Sequence, residues 1–266
     1  MSCIHLHLDF ETRSRLDIRE VGLDNYAQSA EVLMLAYAFG DAPPSLWFPH
    51  EGPLPDALWL LARPEVIKVA WNSAFERAIF KHALGIDIPI RQWLDPAARA
   101  RYALGTASLA QTCDVLGLAE EEGKLASGKK LMRLFSFPVK TKKRLGQFND
   151  WTTHPAQWAE FAEYCRRDVV AERAVLHKLA KFPLPLMERR LWALDQEINE
   201  RGMPVDMAFV TAARRLVDDE RARLMAELTD LTGLENPNSV PQLLGWLKGE
   251  GYPLGSLGAK KVEAVL

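Results

Sequence analysis

Along residues 3–11 the apolar side chains Ile4, Leu6, Leu8 and Phe10 hold one parity, and His5, His7, Asp9 and Glu11 hold the other. A strand turns successive side chains to opposite faces. The pattern therefore predicts a first β-strand with Asp9 and Glu11 on the same side, about 7 Å apart at roughly 3.4 Å per residue. Residues 32–40 and 45–48 read as two more strands joined by the turn-forming Asp41-Ala42-Pro43-Pro44, and the three together, with short links, suggest a meander. Residues 54–62 look helical, 66–71 form a short apolar run with β-branched side chains, and 73–84 are helical again. Strands alternating with helices imply an α/β layer arrangement. Helices at 96–104, 108–116 and 157–181 follow, so a sheet is built early and covered later.

The helical pattern breaks at Lys181-Phe182-Pro183-Leu184-Pro185, because each proline disfavours helix at the residue before it. A domain boundary is expected there, with one domain at 1–183 and a smaller all-helical segment at 184–266. In that segment 186–201 reads as one helix stopped by Gly202-Met203-Pro204, and Asp206 as the N-cap of the next. Ser239 and Gln242 have the spacing of a capping box, and 260–266 enter an amphipathic helix. The chain reaches Val265-Leu266 without a C-terminal cap signal, which reads as an interrupted domain.

Composition narrows the function classes. With 266 residues, 48% hydrophobic and 26% charged, the chain reads as a soluble globular protein with one substantial core. No apolar stretch approaches the roughly 20 residues needed to span a bilayer, and no secretory leader is apparent, so a cytoplasmic protein without membrane attachment is expected. Cys3, Cys113 and Cys165 are scattered and odd in number, which supports neither a disulfide framework nor a thiolate zinc site. The net charge of −2 argues against a uniformly basic nucleic-acid coat protein. One block departs from that balance: from 123 to 149 there is no Asp or Glu, while Lys124, Lys129, Lys130, Arg133, Lys140, Lys142, Lys143 and Arg144 are all basic. Such a block, with Phe135, Phe137 and Phe148, suits phosphates and stacked bases, or else forms a solvated loop with a helical start.

Three short patterns carry candidate chemistry. Asp9 and Glu11 form either a solvated strand end or half of a divalent-metal site, since hard cations take carboxylate oxygens. Asn72 and Glu76 lie where a strand gives way to a helix: Asn72 is a good N-cap, and Glu76 sits near the positive end of the helix dipole. Tyr164 and Asp168, four residues apart, share a helix face beside Trp158, Phe161, Cys165 and Val169. Each pattern alone has an ordinary structural explanation.

Taken together, "LDFETRS", "AWNSAFERAIF" and "EYCRRDVVAER" resemble the three exonuclease motifs of the DEDD superfamily in its tyrosine-bearing branch. More narrowly they look like the 3′-to-5′ proofreading domain of family A DNA polymerases, particularly phage-type ones, over residues 4–181. "LDQEINERGMPVD", "LTGLENPNSVPQLLGWL" and "SLGAKKVEAVL" look like the beginning of the polymerase domain that follows, reaching into its thumb. The resemblance implies a ribonuclease H-like mixed sheet covered by helices, and two Mg²⁺ or Mn²⁺ ions. Asp9, Glu11 and Asp168 would hold the first ion, Asp9 would also bridge to the second, and Glu76 would act partly through water. Tyr164 would orient the attacking water. Thr12, Asn72 and Phe75 would lie near the 3′-terminal nucleotide. Apart from the resemblance, the charge of Lys140, Lys142, Lys143 and Arg144 suits the phosphate backbone of a frayed strand. Members outside the phage-type group commonly carry aspartate where this chain has Glu76, and the extra methylene moves the carboxylate by about 1.5 Å.

The function implied is metal-dependent 3′–5′ hydrolysis of DNA, with a single-stranded or frayed 3′ end as the partner and the remainder of a polymerase as a further one. A catalytically silent DNA-binding scaffold and a ribonuclease D-like RNA exonuclease are the alternatives. Retention of all four acids and the tyrosine favours the enzyme, and the segment after 184 favours a polymerase context. Polymerase activity is not expected of this chain by itself, because no segment resembling palm or fingers follows.

Overall fold

The computed structural model describes residues 4–106, 108–118, 128–252 and 254–263. The expected helical end at 264–266, Cys3, and residues 123–127 of the basic block, Lys124 among them, lie outside the described residues, as does the side chain of Lys143. The chain divides into two compact units, 1–202 and 203–266.

In the first unit five strands, β1 (Ile4–Arg13), β2 (Glu31–Phe39), β3 (Ser45–Trp47), β4 (Val66–Val69) and β5 (Trp93–Leu94), form one sheet of order β3-β2-β1-β4-β5. β1 pairs antiparallel with β2 and β2 with β3, whereas β1–β4 and β4–β5 are parallel. This is a ribonuclease H-like mixed sheet, and its longest strand, β1, lies in the middle.

The helices are α1 (Ile18–Ser29), α2 (Ala74–His82), α3 (Pro96–Leu104), α4 (Leu109–Val115), α5 (Gly128–Ser136), α6 (Pro155–Lys178) and α7 (Leu186–Arg201). The parity of β1 decides what covers each face. Leu6, Leu8 and Phe10 pack with Leu35, Ile79, Phe80 and Trp93 into one core. On the other face Asp9 pairs with Ala36 and Glu11 with Met34, and those β2 residues pack under Phe135 of α5 and Phe161 and Cys165 of α6. The acids therefore point into the layer between the sheet and α6. Burying Leu6, Leu8 and Phe10 completely, each by roughly 1.5–3 kcal/mol, fixes the register that holds them there.

One expectation changes. The link from β1 to β2 is not short, because α1 occupies it. That helix bends at Gly22, whose φ is +77°, and buries only Ala27, so it presents no apolar stripe to read. Residues 56–62, expected to be helical, form a 3₁₀ helix. β5, two residues long, is too short for a period to reveal it.

The break at 181–185 separates helices, whereas the boundary between the compact units falls after the next helix, α7. α7 packs back on the first unit: Trp192 lies against the core, and Glu200 pairs with both Arg77 and Lys81 of α2.

The second unit holds α8 (Met207–Thr232), α9 (Val240–Gly249) and α10 (Ala259–Glu263). Asp206 caps α8 as expected, accepting from Phe209 N–H at 2.9 Å. Ser239 stands at the N-cap of α9 without a side-chain cap bond, and Gln242 Oε1 instead accepts from Asn236 N–H, so the capping box does not form. Among the described residues no helix is long and apolar enough to cross a membrane.

Candidate active site

β1 delivers Asp9 and Glu11 to one face, and the register shift between Glu11 and Thr12 turns Thr12 inward after them, where its hydroxyl meets Tyr26 Oη at 2.8 Å. α6 crosses this face closely enough for the Cys165 thiol to donate to the Asp9 carbonyl at 3.4 Å. Tyr164 and Asp168, on the same side of α6, are both buried. Glu76, in the first turn of α2, is 3% exposed. Asp9, Glu11, Glu76, Tyr164 and Asp168 all line one cavity of about 570 Å³, and Thr12, Asn72 and Phe75 line it too.

The turn that carries Glu76 is held in an unexpected way. Asn72 is not the N-cap: that position falls to Ser73, and neither side chain caps α2. Asn72 adopts φ +61°, the only positive φ outside glycine among the described residues, a conformation that Asn tolerates better than most side chains. Asp95, at the end of β5, secures it. One carboxylate oxygen accepts from Asn72 N–H at 3.0 Å and from Ala97 N–H at 2.9 Å, and the other accepts from Ser73 N–H at 3.1 Å. Asp95 thus stands at the start of α2 and caps α3 at once, although burial pushes its carboxyl up from the ordinary aspartate value.

Tyr164 is positioned by packing. Its ring stacks on Phe161, with centroids 6.2 Å apart and planes 12° apart. On its other flank α5 approaches so closely that a Cβ at Gly128 would stand 2.0 Å from Tyr164 Cε2. Only glycine fits there. Burial first, then the charges of Asp168, Glu11 and Asp9, push the phenol far above its ordinary value, so it keeps its proton at any physiological pH.

The site is strongly acidic. Glu76 is pushed well above the ordinary glutamate value by burial and then by the charge of Asp9, and its Oε2 is buried without a hydrogen-bond partner. Clustered carboxylates with such an oxygen fit hard divalent cations of the Mg²⁺ and Mn²⁺ type, which take oxygen ligands and offset the mutual repulsion. Among the described residues no three His, Cys, Asp or Glu side chains stand at ligand spacing about one point.

The basic cluster lies apart. None of Lys140, Lys142 or Arg144 lines the cavity. Lys140 and Lys142 are exposed, whereas Arg144 donates to Asn149 Oδ1 at 2.9 Å and to the Phe148 carbonyl at 3.4 Å, closing its own loop. Of the three aromatics expected to stack bases, Phe135 is buried against Phe161 and Phe148 lies under Arg13 and Arg15, while Phe137 is exposed and lines the cavity.

Sequence reading missed Asp95, Gly128 and a further acid in the cavity, Glu172. The Asp-Pro at 95–96 is a readable cap for α3, but nothing local shows that the same carboxylate reaches residues 72 and 73.

No family model matches the chain. It is 36% identical over 272 residues to a DNA polymerase of Bacillus phage SP02, an alignment that takes in 98% of this chain and 41% of that protein's length. At that identity and length the aligned segments share a fold. Among solved structures, Brucella melitensis NrnC with bound Mg²⁺ is 15% identical, with a TM-score of 0.47 over 74% of this chain and 86% of that one. Escherichia coli RNase D, an exoribonuclease involved in structured RNA processing, is 14% identical, with a TM-score of 0.39 over 73% of this chain and 45% of that one. Likenesses so distant say nothing of what this chain does, and the fold assignment stands on the strand order.

Proposed function

We propose that this chain is a metal-dependent 3′–5′ exonuclease of the tyrosine-bearing DEDD branch, releasing nucleoside monophosphates from the 3′ end of DNA as the proofreading portion of a family A polymerase. The observation that carries this reading is the meeting of Asp9, Glu11, Glu76, Tyr164 and Asp168, from a strand and two helices far apart in sequence, around one cavity. The likeness to a phage DNA polymerase supports the polymerase context. In this reading residues 1–183 are the exonuclease domain, and 184–266 begin the polymerase domain.

Asp9, Glu11 and Asp168 would hold one Mg²⁺ or Mn²⁺, Asp9 would be shared with a second, and Glu76 would act partly through water. Bound there, the ions supply a nucleophilic water and positive charge for the entering and leaving oxygens of an in-line displacement. The protein's own groups do the rest. Tyr164 keeps its proton, so it orients the attacking water by hydrogen bonding and is no base. Thr12 and Asn72 offer polar groups to the terminal nucleotide. Phe75 and Tyr26, ring centroids 6.1 Å apart, offer its base an aromatic wall. Lys140, Lys142 and Lys143 would hold phosphates further along the strand, and Arg144 would support them by closing the loop.

The test is incubation with 5′-labelled single-stranded DNA and Mg²⁺ or Mn²⁺, with the same sequence as RNA in parallel. A ladder shortening from the 3′ end of the DNA, abolished by chelator, is expected. Intact DNA after hours with folded protein would replace this reading with the silent scaffold, and preferential loss of the RNA would replace it with an RNA exonuclease.

A further inference from the structure

Two carboxylates in the cavity lining have no role in the motifs: Asp17, which caps α1 and pairs with Arg19, and Glu172. Glu172 lies one helical turn beyond Asp168 on α6, is 2% exposed, and lines the same cavity. His7, two residues before Asp9 and on the same face of β1, is equally buried, and its Nδ1–H donates to Glu172 Oε2 at 2.7 Å. The ring thereby fixes one carboxylate oxygen. The other, Oε1, is buried with no hydrogen-bond partner. A buried carboxylate serving packing alone is favourable only when its remaining lone pairs are satisfied, and this one leaves an oxygen over. Glu76, from α2, repeats the feature: its Oε2 is also buried without a partner, and the charge of Glu172 reaches it. Glu76 and Glu172, each with one such oxygen, thus both line the cavity that Asp9, Glu11 and Asp168 line.

We propose that Glu172 is a fifth carboxylate of the divalent-cation site, its Oε1 accepting hydrogen bonds from ion-bound water and its orientation fixed by His7. The inference rests on the cation-site reading above. Mg²⁺ gives up its water reluctantly and is held by few carboxylates, so acceptors for the retained waters help to decide affinity. Glu172 is in this sense a positioning residue that acts through water, and His7 acts through Glu172.

Mn²⁺ titration of the full chain without DNA, read by the electron paramagnetic resonance of the free ion, tests this apart from activity. Glu172→Gln, nearly isosteric, is expected to weaken Mn²⁺ binding by roughly tenfold or more, within the range typical of groups that orient metal ligands. His7→Ala should weaken it likewise, and His7→Asn, whose amide can still donate to Glu172, should restore it. If Glu172→Gln does not fold, Glu172→Asp keeps the charge but withdraws it by about 1.5 Å and should also weaken binding. Asp9→Ala separates the two levels of the argument. If Asp9→Ala loses Mn²⁺ while the folded Glu172 variant binds as tightly as wild type, the role of Glu172 is overturned and the His7 pair is structural. If Asp9→Ala also binds as tightly as wild type, the cation-site reading itself falls, and the role of Glu172 falls with it.

Discussion

At the level of single residues, burial decides which groups carry charge. Glu76 has a folded-state pKa well above its unfolded value near 4.5, because its carboxylate lies out of water beside Asp9. The folded protein therefore binds this proton more tightly than the unfolded chain does. The associated stability is present in full below the unfolded pKa and is lost as pH rises through the folded one. Metal-free Glu76→Gln should accordingly melt at a higher temperature than wild type at pH 8, and lose less melting temperature than wild type between pH 5 and 8. Equal melting profiles at both pH values would mean that Glu76 is not strained by its charge. Gly128 acts on Tyr164 through shape alone. Gly128→Ala should lower the single-turnover cleavage rate by displacing the ring while leaving Mn²⁺ affinity unchanged, and an unchanged rate would show that the placement of the phenol does not matter.

Elements differ in how openly the sequence declares them. β1 was legible in the facing of its side chains, since its apolar residues alternate without a break and the core takes Leu6, Leu8 and Phe10 from one parity, leaving Ile4 exposed at the strand's start. α2 and α6 were legible because their buried side chains recur at helical spacing. α1 was hidden by a kink at Gly22 and by burial limited to Ala27, whereas α5 showed as the helical start of the basic block. Asp9, Glu11, Glu76, Tyr164 and Asp168 could be singled out as candidates because each belongs to a short motif that the resemblance ties together. Asp95, Gly128 and Glu172 could not, since each acts on a residue distant in sequence: Asp95 on 72 and 73, Gly128 on Tyr164, and Glu172 on His7. The double service of Asp95 makes the placement of α2 depend on β5. Removing it as Asp95→Ala deprives two helix starts of their acceptor, at about 1 kcal/mol each, which in a chain of this size is a melting temperature lower by roughly 4–8 °C. A differential scanning calorimetry shift near zero would show that the turn at Asn72 holds without it.

For the whole molecule, the sheet's central strand and the two helices that carry the acids belong to one compact unit, residues 1–202. This unit includes α7, which lies beyond the proline break but pairs Glu200 with Arg77 and Lys81, so compactness and the expected functional boundary at 183 are separate properties of the chain. The central claim is that acids from β1, α2 and α6 act as one cation-dependent centre. Single-turnover cleavage of a 3′-terminal phosphodiester by wild type and Asp168→Ala, in saturating Mg²⁺ and with circular dichroism to verify folding, tests it most directly. Loss of several kcal/mol of transition-state stabilisation predicts a rate lower by on the order of 10³-fold in a variant that remains folded; a folded Asp168→Ala that cleaves at the wild-type rate would contradict the account.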